Sequence, residues 1–220
     1  PAGTSWTLLR ALRQNRAVTL SAGKDPIQLL KAVKDETEKF IDSADISLYE
    51  KAARLICDSE AHGGRLHITG IGKPAHIAGY IASLISSTGT PAYFLHGTEA
   101  VHGSCGQLNK GDVVICISNS GETAEMKSTA IAIRNNGGRL IAVTGNPDSW
   151  LATYSDVHLP AHTDNEGGPL NRAPRTSILA ETICLQLLSV ILQTKCNLTP
   201  QDYVLRHPGG TLGRLRENEK

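Results

Sequence analysis

The sequence predicts an α/β fold in which a parallel sheet of five strands is joined by right-handed helical crossovers. Three observations carry that prediction. From residue 65 onward, short apolar runs alternate with longer stretches of helical periodicity. The run Val113-Val114-Ile115-Cys116-Ile117 contains no polar residue, as expected of a strand covered on both faces. The 21 glycines and an aromatic content of only 4% suit tight loops between helices and strands better than a β-sandwich.

The elements follow in order. Asp25-Pro26 opens a helix, with Asp as cap and Pro in the first turn, and Ile27, Leu30, Val33, Thr37, Phe40 and Ile41 recur at helical spacing. A second helix runs from about 46 to 60 with Leu48, Ala52, Leu55 and Ile56 inward, and Gly63-Gly64 stops it. Residues 65–70 form a first strand ending on glycine, and 74–87 a helix with Ile77, Ile81, Leu84 and Ile85 on one face. Strands follow at 91–95, 113–117, 140–144 and, more weakly, 157–159. Between them lie a helix at 122–135 and a short one at Trp150–Tyr154, and a long apolar helix occupies 176–195. We expect three parts: an N-terminal arm at 1–24, one folded unit at 25–214 including the N-terminal helices, and a polar, frayed tail at 215–220.

Composition narrows the function classes. With 220 residues, the chain can bury roughly 70% of its unfolded surface. With 20% charged residues and a net charge of +1 it is too apolar and too weakly charged for disorder, and no Lys/Arg stripe suggests nucleic acid. No unbroken apolar stretch reaches the ~18 residues of a membrane span. The five cysteines (Cys57, Cys105, Cys116, Cys184 and Cys196) are odd in number and show no C-x-x-C spacing. Reduced thiols in a cytoplasmic protein are therefore expected, with neither a disulfide framework nor a Cys-rich zinc site.

Two segments carry chemistry. Gly70-Ile71-Gly72-Lys73-Pro74-Ala75 satisfies G-x-G-x-x-A between a strand and a helix, which raises a dinucleotide cofactor. Against it, no acidic residue ends the second strand, where Leu95-His96-Gly97 stands, and Lys73 in the turn suits a small anion better. Ser118-Asn119-Ser120-Gly121-Glu122-Thr123 ends the third strand just before a helix. Free backbone N–H groups there attract an anion, and the hydroxyls of Ser118, Ser120 and Thr123 add donors. Plain helix capping is the alternative reading, but capping would not need three hydroxyls on one turn.

These segments, together with Glu99-Ala100-Val101-His102-Gly103, IAVTGNPDSWLA and Tyr203–Arg214 (YVLRHPGGTLGR), resemble the sugar isomerase (SIS) domain. The resemblance spans roughly 65–214 and is closest to the arabinose-5-phosphate isomerase branch, the KpsF/GutQ-like group. It implies a three-layer sandwich of flavodoxin-like or Rossmann-like order, and a homotetramer with active sites at subunit interfaces. It implies interconversion of D-ribulose 5-phosphate and D-arabinose 5-phosphate on the way to Kdo, a lipopolysaccharide sugar, with no cofactor. The family's active-site positions fall on Lys73, Glu125, Glu166 and His207, with His102 as a further substrate-side histidine. Phosphate contacts fall on Gly72, Ser118, Asn119, Ser120 and Thr123. No metal is required, although His102, with His96 near it, is a candidate for an adventitious or inhibitory ion. Many relatives continue into paired CBS modules, which are not expected in these 220 residues.

The sequence also departs from the family pattern. Pro74 replaces a serine, and Arg172 and Arg175 add two cations to a loop that is neutral in the relatives. An isomerase of another sugar phosphate and a non-catalytic phosphosugar sensor are the competing readings. The chemistry needs a base and a group that serves the carbonyl oxygen as an enediol forms. The residues do not choose between Glu125 and Glu166 as the base. His207 would act on the ring or carbonyl oxygen, and Lys73 would steady the enediolate or a phosphate. Each also has a structural alternative: helix surface for Glu125, loop acid for Glu166, helix end for His207, surface for Lys73. His62, His67, His76, His158 and His162 are assigned no role.

Overall fold

The five apolar runs form five strands in the computed structural model, which describes residues 25–220. The expected arm at 1–24 lies outside the described residues. The strands are β1 (Leu66–Gly70), β2 (Ala92–Phe94), β3 (Val113–Ile117), β4 (Arg139–Thr144) and β5 (Val157–Pro160). They pair in parallel in the order β2-β1-β3-β4-β5, with Gly70 beside Ile117 and Ile117 beside Val143. The helices are α1 (Asp25–Ser43), α2 (Ile46–Ala61), α3 (Lys73–Ser87), α4 (Gly97–Ala100), α5 (Ala124–Asn135), α6 (Trp150–Tyr154), α7 (Thr176–Lys195) and α8 (Pro200–Arg206).

Strand alternation sends side chains to two cores. Val113, Ile115, Ile117, Ile141 and Val143 meet residues of α2, α3 and α7 on one face. Val114, Cys116, Leu140 and Ala142 meet Met126, Ala130, Ile133 and Leu151 on the other. The result is a three-layer α/β sandwich, as expected. α7 carries a window of mean hydropathy 1.5 and is long enough to cross a membrane, but half of that window is buried in the fold. It is the central helix of the first core, packed on α1, α2 and α3.

Asp112 knots the amino edge of the sheet. Its buried carboxylate accepts the N–H groups of Arg65 (2.8 Å) and Asn109 (2.8 Å) and faces His67 Nε2 at 3.1 Å. His67 thus has a structural partner, and burial lowers its pKa despite that partner.

The spacing of α1 leaves its buried face open, and the frayed tail expected at 215–220 changes. α1 turns Ala32, Glu36 and Phe40 inward, leaving Ile27 and Leu30 each 70% exposed and Ile41 60% exposed. Glu36 is held inside because its carboxylate accepts from Lys39 Nζ (3.0 Å) and from the Asp164 N–H (2.8 Å), tying α1 to the loop after β5. The tail forms a 3-10 turn at Glu217–Glu219, and Gln201 Nε2 donates to the Glu219 carbonyl at 3.3 Å.

Candidate active site

Ligand sites in open parallel sheets gather at the carboxyl ends of the strands. There β3 runs into the turn 118–123. Gly121 takes φ +65°, and a side chain on it would strike Ser149. The Ser118 and Thr123 hydroxyls share a hydrogen bond of 3.2 Å, and Ser120 Oγ accepts from the Glu122 N–H at 3.2 Å. Thr123 is the N-cap of α5 yet makes no side-chain cap bond. The N-cap residues of α2, α6 and α8 (Asp45, Ser149 and Thr199) do cap their helices. The hydroxyls at 118–123 therefore surround a helix start whose N–H groups they leave open, and such a start attracts a phosphate. Glu122 does not intrude, since its carboxylate accepts from the Trp150 N–H at 2.7 Å and pairs with Lys127. Asn119 is exposed, and its carbonyl accepts from the Gly145 N–H, joining the ends of β3 and β4.

One strand over, β1 leads through Gly72 (φ +68°) into α3. Lys73 is the first residue of that helix and is exposed. α3 has no side-chain cap and no acid in its first turn, so a second open helix start follows β1, the strand paired with β3, on the other face of the sheet.

The two glutamates differ. Glu125 lies in the first turn of α5, exposed, on the far side of the sheet from α3 and α7. Among the described residues its carboxylate has no hydrogen-bond partner, while its carbonyl accepts from Thr129 Oγ1. Glu166 belongs to the loop before α7 and caps that helix from outside. Its carboxylate accepts the Arg175 N–H (2.5 Å), the Ser177 N–H (3.3 Å) and Thr176 Oγ1 (3.3 Å). Burial pushes its pKa up, but hydrogen bonds from Ser177, Arg175 and Thr176 outweigh that and hold it below the usual value. Glu166 thus has one oxygen, Oε2, fully engaged at the start of α7, whereas the Glu125 carboxylate has no hydrogen-bond partner among the described residues.

His102 follows α4 on the same face as α5 and is exposed. His96 caps α4 and receives Thr98 Oγ1 at 3.1 Å. Among the described residues, no three or more His, Cys, Asp or Glu side chains converge in a metal-ligating group.

His207 is elsewhere. It ends α8, which follows α7 and whose Tyr203 and Val204 line a pocket with Thr88 at the C-terminus of α3. α7, with 20 residues at 1.5 Å each, spans about 30 Å; Glu166 caps its start, and His207 follows its end. Its ring stacks on Tyr203 at 4.0 Å, and Nδ1–H donates to the Tyr203 carbonyl at 2.8 Å. That bond fixes the neutral tautomer, leaving Nε2 with a lone pair and no partner among the described residues.

Within one chain, the carboxyl edge thus collects Gly72, Lys73, Ser118, Asn119, Ser120, Thr123, Glu125 and Glu166, with His102 on its α5 side, and excludes His207. His162, assigned no role from sequence, also stands at this edge, bonded to the Gly145 carbonyl (2.8 Å) and Asp164 (2.9 Å). No sequence signal marks it, because Gly145, 17 residues away, becomes its neighbour only through the pairing of β4 and β5.

The model of the SIS domain family matches residues 61–191. The chain is 41% identical over 177 residues to "Arabinose 5-phosphate isomerase KdsD" of Francisella tularensis, covering 80% of this chain and 54% of that one. It is 40% identical over 166 residues to the protein of the same name from Pseudomonas aeruginosa, covering 76% and 50%. The chain thus spans about half the length of the curated relatives it matches. Among solved structures, E. coli CFT073 c3406 in complex with arabinose 5-phosphate superposes with a TM-score of 0.74 at 30% identity, covering 93% of this chain and 99% of that one.

Proposed function

The chain belongs to the SIS domain family, and from that premise we propose that it is an aldose–ketose isomerase interconverting D-ribulose 5-phosphate and D-arabinose 5-phosphate through an enediol. One observation carries the reading: an uncapped helix start ringed by three hydroxyls stands one strand from Lys73 and opens directly onto Glu125. The named relatives and the neighbour that holds arabinose 5-phosphate support the choice of sugar.

In this reading the turn 118–123 binds the phosphate through Ser118, Ser120, Thr123 and the first N–H groups of α5. Anchoring one end of a short sugar places its carbonyl end over the start of the same helix. Glu125, one residue into α5 with free lone pairs, moves the proton between C1 and C2. Lys73 stabilises charge on the enediolate oxygen. Glu166 holds the start of α7 and does not exchange protons. His207 acts on the ring oxygen through Nε2, and it comes from another copy of the chain, since its own follows the end of α7 opposite the one Glu166 caps. The site is then completed by self-association, which we read as a homotetramer. Five free thiols support a cytoplasmic setting.

The test is turnover of ribulose 5-phosphate in deuterated water, followed by NMR of the aldose formed at C2. Wild type should produce arabinose 5-phosphate. Glu125→Gln should lower kcat by about 10²–10⁴-fold, the usual contribution of one acid–base group, with phosphosugar binding retained. Tight phosphosugar binding by wild type without turnover would replace the isomerase with a sensor.

A further inference from the structure

At the start of α3 lies a cleft of about 520 Å³ whose lining includes Lys73, Arg172 and Arg175, with Pro169, Leu170 and Pro174. Three cationic residues border one space and no acidic residue lines it. None of the three joins an ion pair among the described residues. The nearest acid in the loop, Glu166, is turned to the N–H groups at the start of α7, so it does not neutralise the cleft. The arginines are also held in place. Pro169 and Pro174 flank Arg172, and Pro174 precedes Arg175, in a loop of restricted backbone. The Arg175 guanidinium lies over Gly168, where any side chain would collide with it, and Nη1 reaches the Ala173 carbonyl at 3.5 Å.

Phosphate binding at 118–123 does not need these groups, because that turn supplies its own hydroxyls and N–H groups. Arginine forks match carboxylate and phosphate oxygens and gain little from neutral hydroxyls. We infer that the Lys73–Arg172–Arg175 cleft is a subsite for a second anionic group on the ligand whose phosphate occupies the 118–123 turn. The ligand class is a sugar with a phosphate at one end and a phosphate or carboxylate at the other. Arg172 and Arg175 are then specificity residues that the isomerisation itself does not use. The inference rests on the phosphate assignment of the preceding section.

Binding measured by calorimetry tests it, with paired probes: ribulose 1,5-bisphosphate against ribulose 5-phosphate, and 6-phosphogluconate against glucitol 6-phosphate. At least one doubly anionic probe should bind wild type tenfold or more tightly than its partner, and the pair that does so identifies the anion. Arg172→Gln/Arg175→Gln should erase that advantage while changing ribulose 5-phosphate affinity less than twofold. Equal affinities within both pairs would overturn the subsite and leave the phosphate site standing. So would an advantage that survives in the double variant, since it would then arise from mimicry of the enediolate. Failure of ribulose 5-phosphate to bind wild type at all would instead remove the phosphate assignment, and the subsite with it.

Discussion

Glu181 lies one turn beyond Ser177 on the inner side of α7, fully buried, with no hydrogen-bond partner for either carboxylate oxygen among the described residues. Burial, reinforced by the nearby Glu166 charge, pushes its pKa up to about 8 from an ordinary 4.5. The folded chain therefore binds more protons than the unfolded chain across that interval. The contribution of this group to stability is highest below about pH 4.5, declines as pH rises, and levels off above about 8. Glu181→Gln keeps the shape and removes the charge. Its unfolding free energy in urea should match wild type near pH 4.5 and exceed it increasingly toward pH 9, by at most about 5 kcal/mol at ~1.4 kcal/mol per pKa unit. Parallel pH profiles would show that the carboxyl has a hidden partner. The other residues at this scale were unevenly legible. Ser118, Ser120 and Thr123 announce themselves because three hydroxyls before a helix are a local pattern. The division of labour between Glu125 and Glu166 is not local: it depends on Arg175 and Ser177 folding back onto Glu166 across 9 and 11 residues.

At the scale of elements, α1 shows where periodicity misleads. Its apolar residues do recur at helical spacing, and the helix forms, but the face turned inward carries Ala32, Glu36 and Phe40. A hydrophobic stripe says that a surface will be covered, not by what. The stripe of Ile27, Leu30 and Ile41, continued by the apolar hollow between Val33, Thr37 and Ile41, is a contiguous exposed face of the kind that copies of a chain bury in one another. Leu30→Glu/Ile41→Glu should therefore leave far-UV circular dichroism intact while shifting light-scattering mass toward smaller species. An unchanged mass would place the contact between copies on another face. The strands were easier to read, because a run such as 113–117 must be buried on both faces and few other structures accept it.

At the scale of the whole molecule, the decisive fact is that Glu125 starts α5 at the carboxyl edge of the sheet whereas His207 ends α8, past the end of α7. If His207 completes a neighbour's site, two inactive variants should rescue each other. Glu125→Gln and His207→Ala, each inactive alone, should regain a substantial fraction of wild-type turnover when co-expressed, because mixed assemblies contain some sites with neither defect. Separate purification and mixing below the dissociation concentration should give none. Absence of rescue in assemblies shown by mass to be mixed would confine the site to one chain and remove His207 from it.

The sequence by itself determined the class of fold, the order of its strands and helices, and the local anion cradle at 118–123. Those depend on residues within a few positions of one another, where periodicity, glycine placement and hydroxyl clustering act directly. Tertiary structure alone decided that Glu166 secures α7, that Arg172 and Arg175 meet Lys73 in one cleft, and that His207 lies past the other end of α7. Each of these is set by which helix start faces which strand end. That choice is made by burial summed over two whole cores, so no short stretch of the chain contains it.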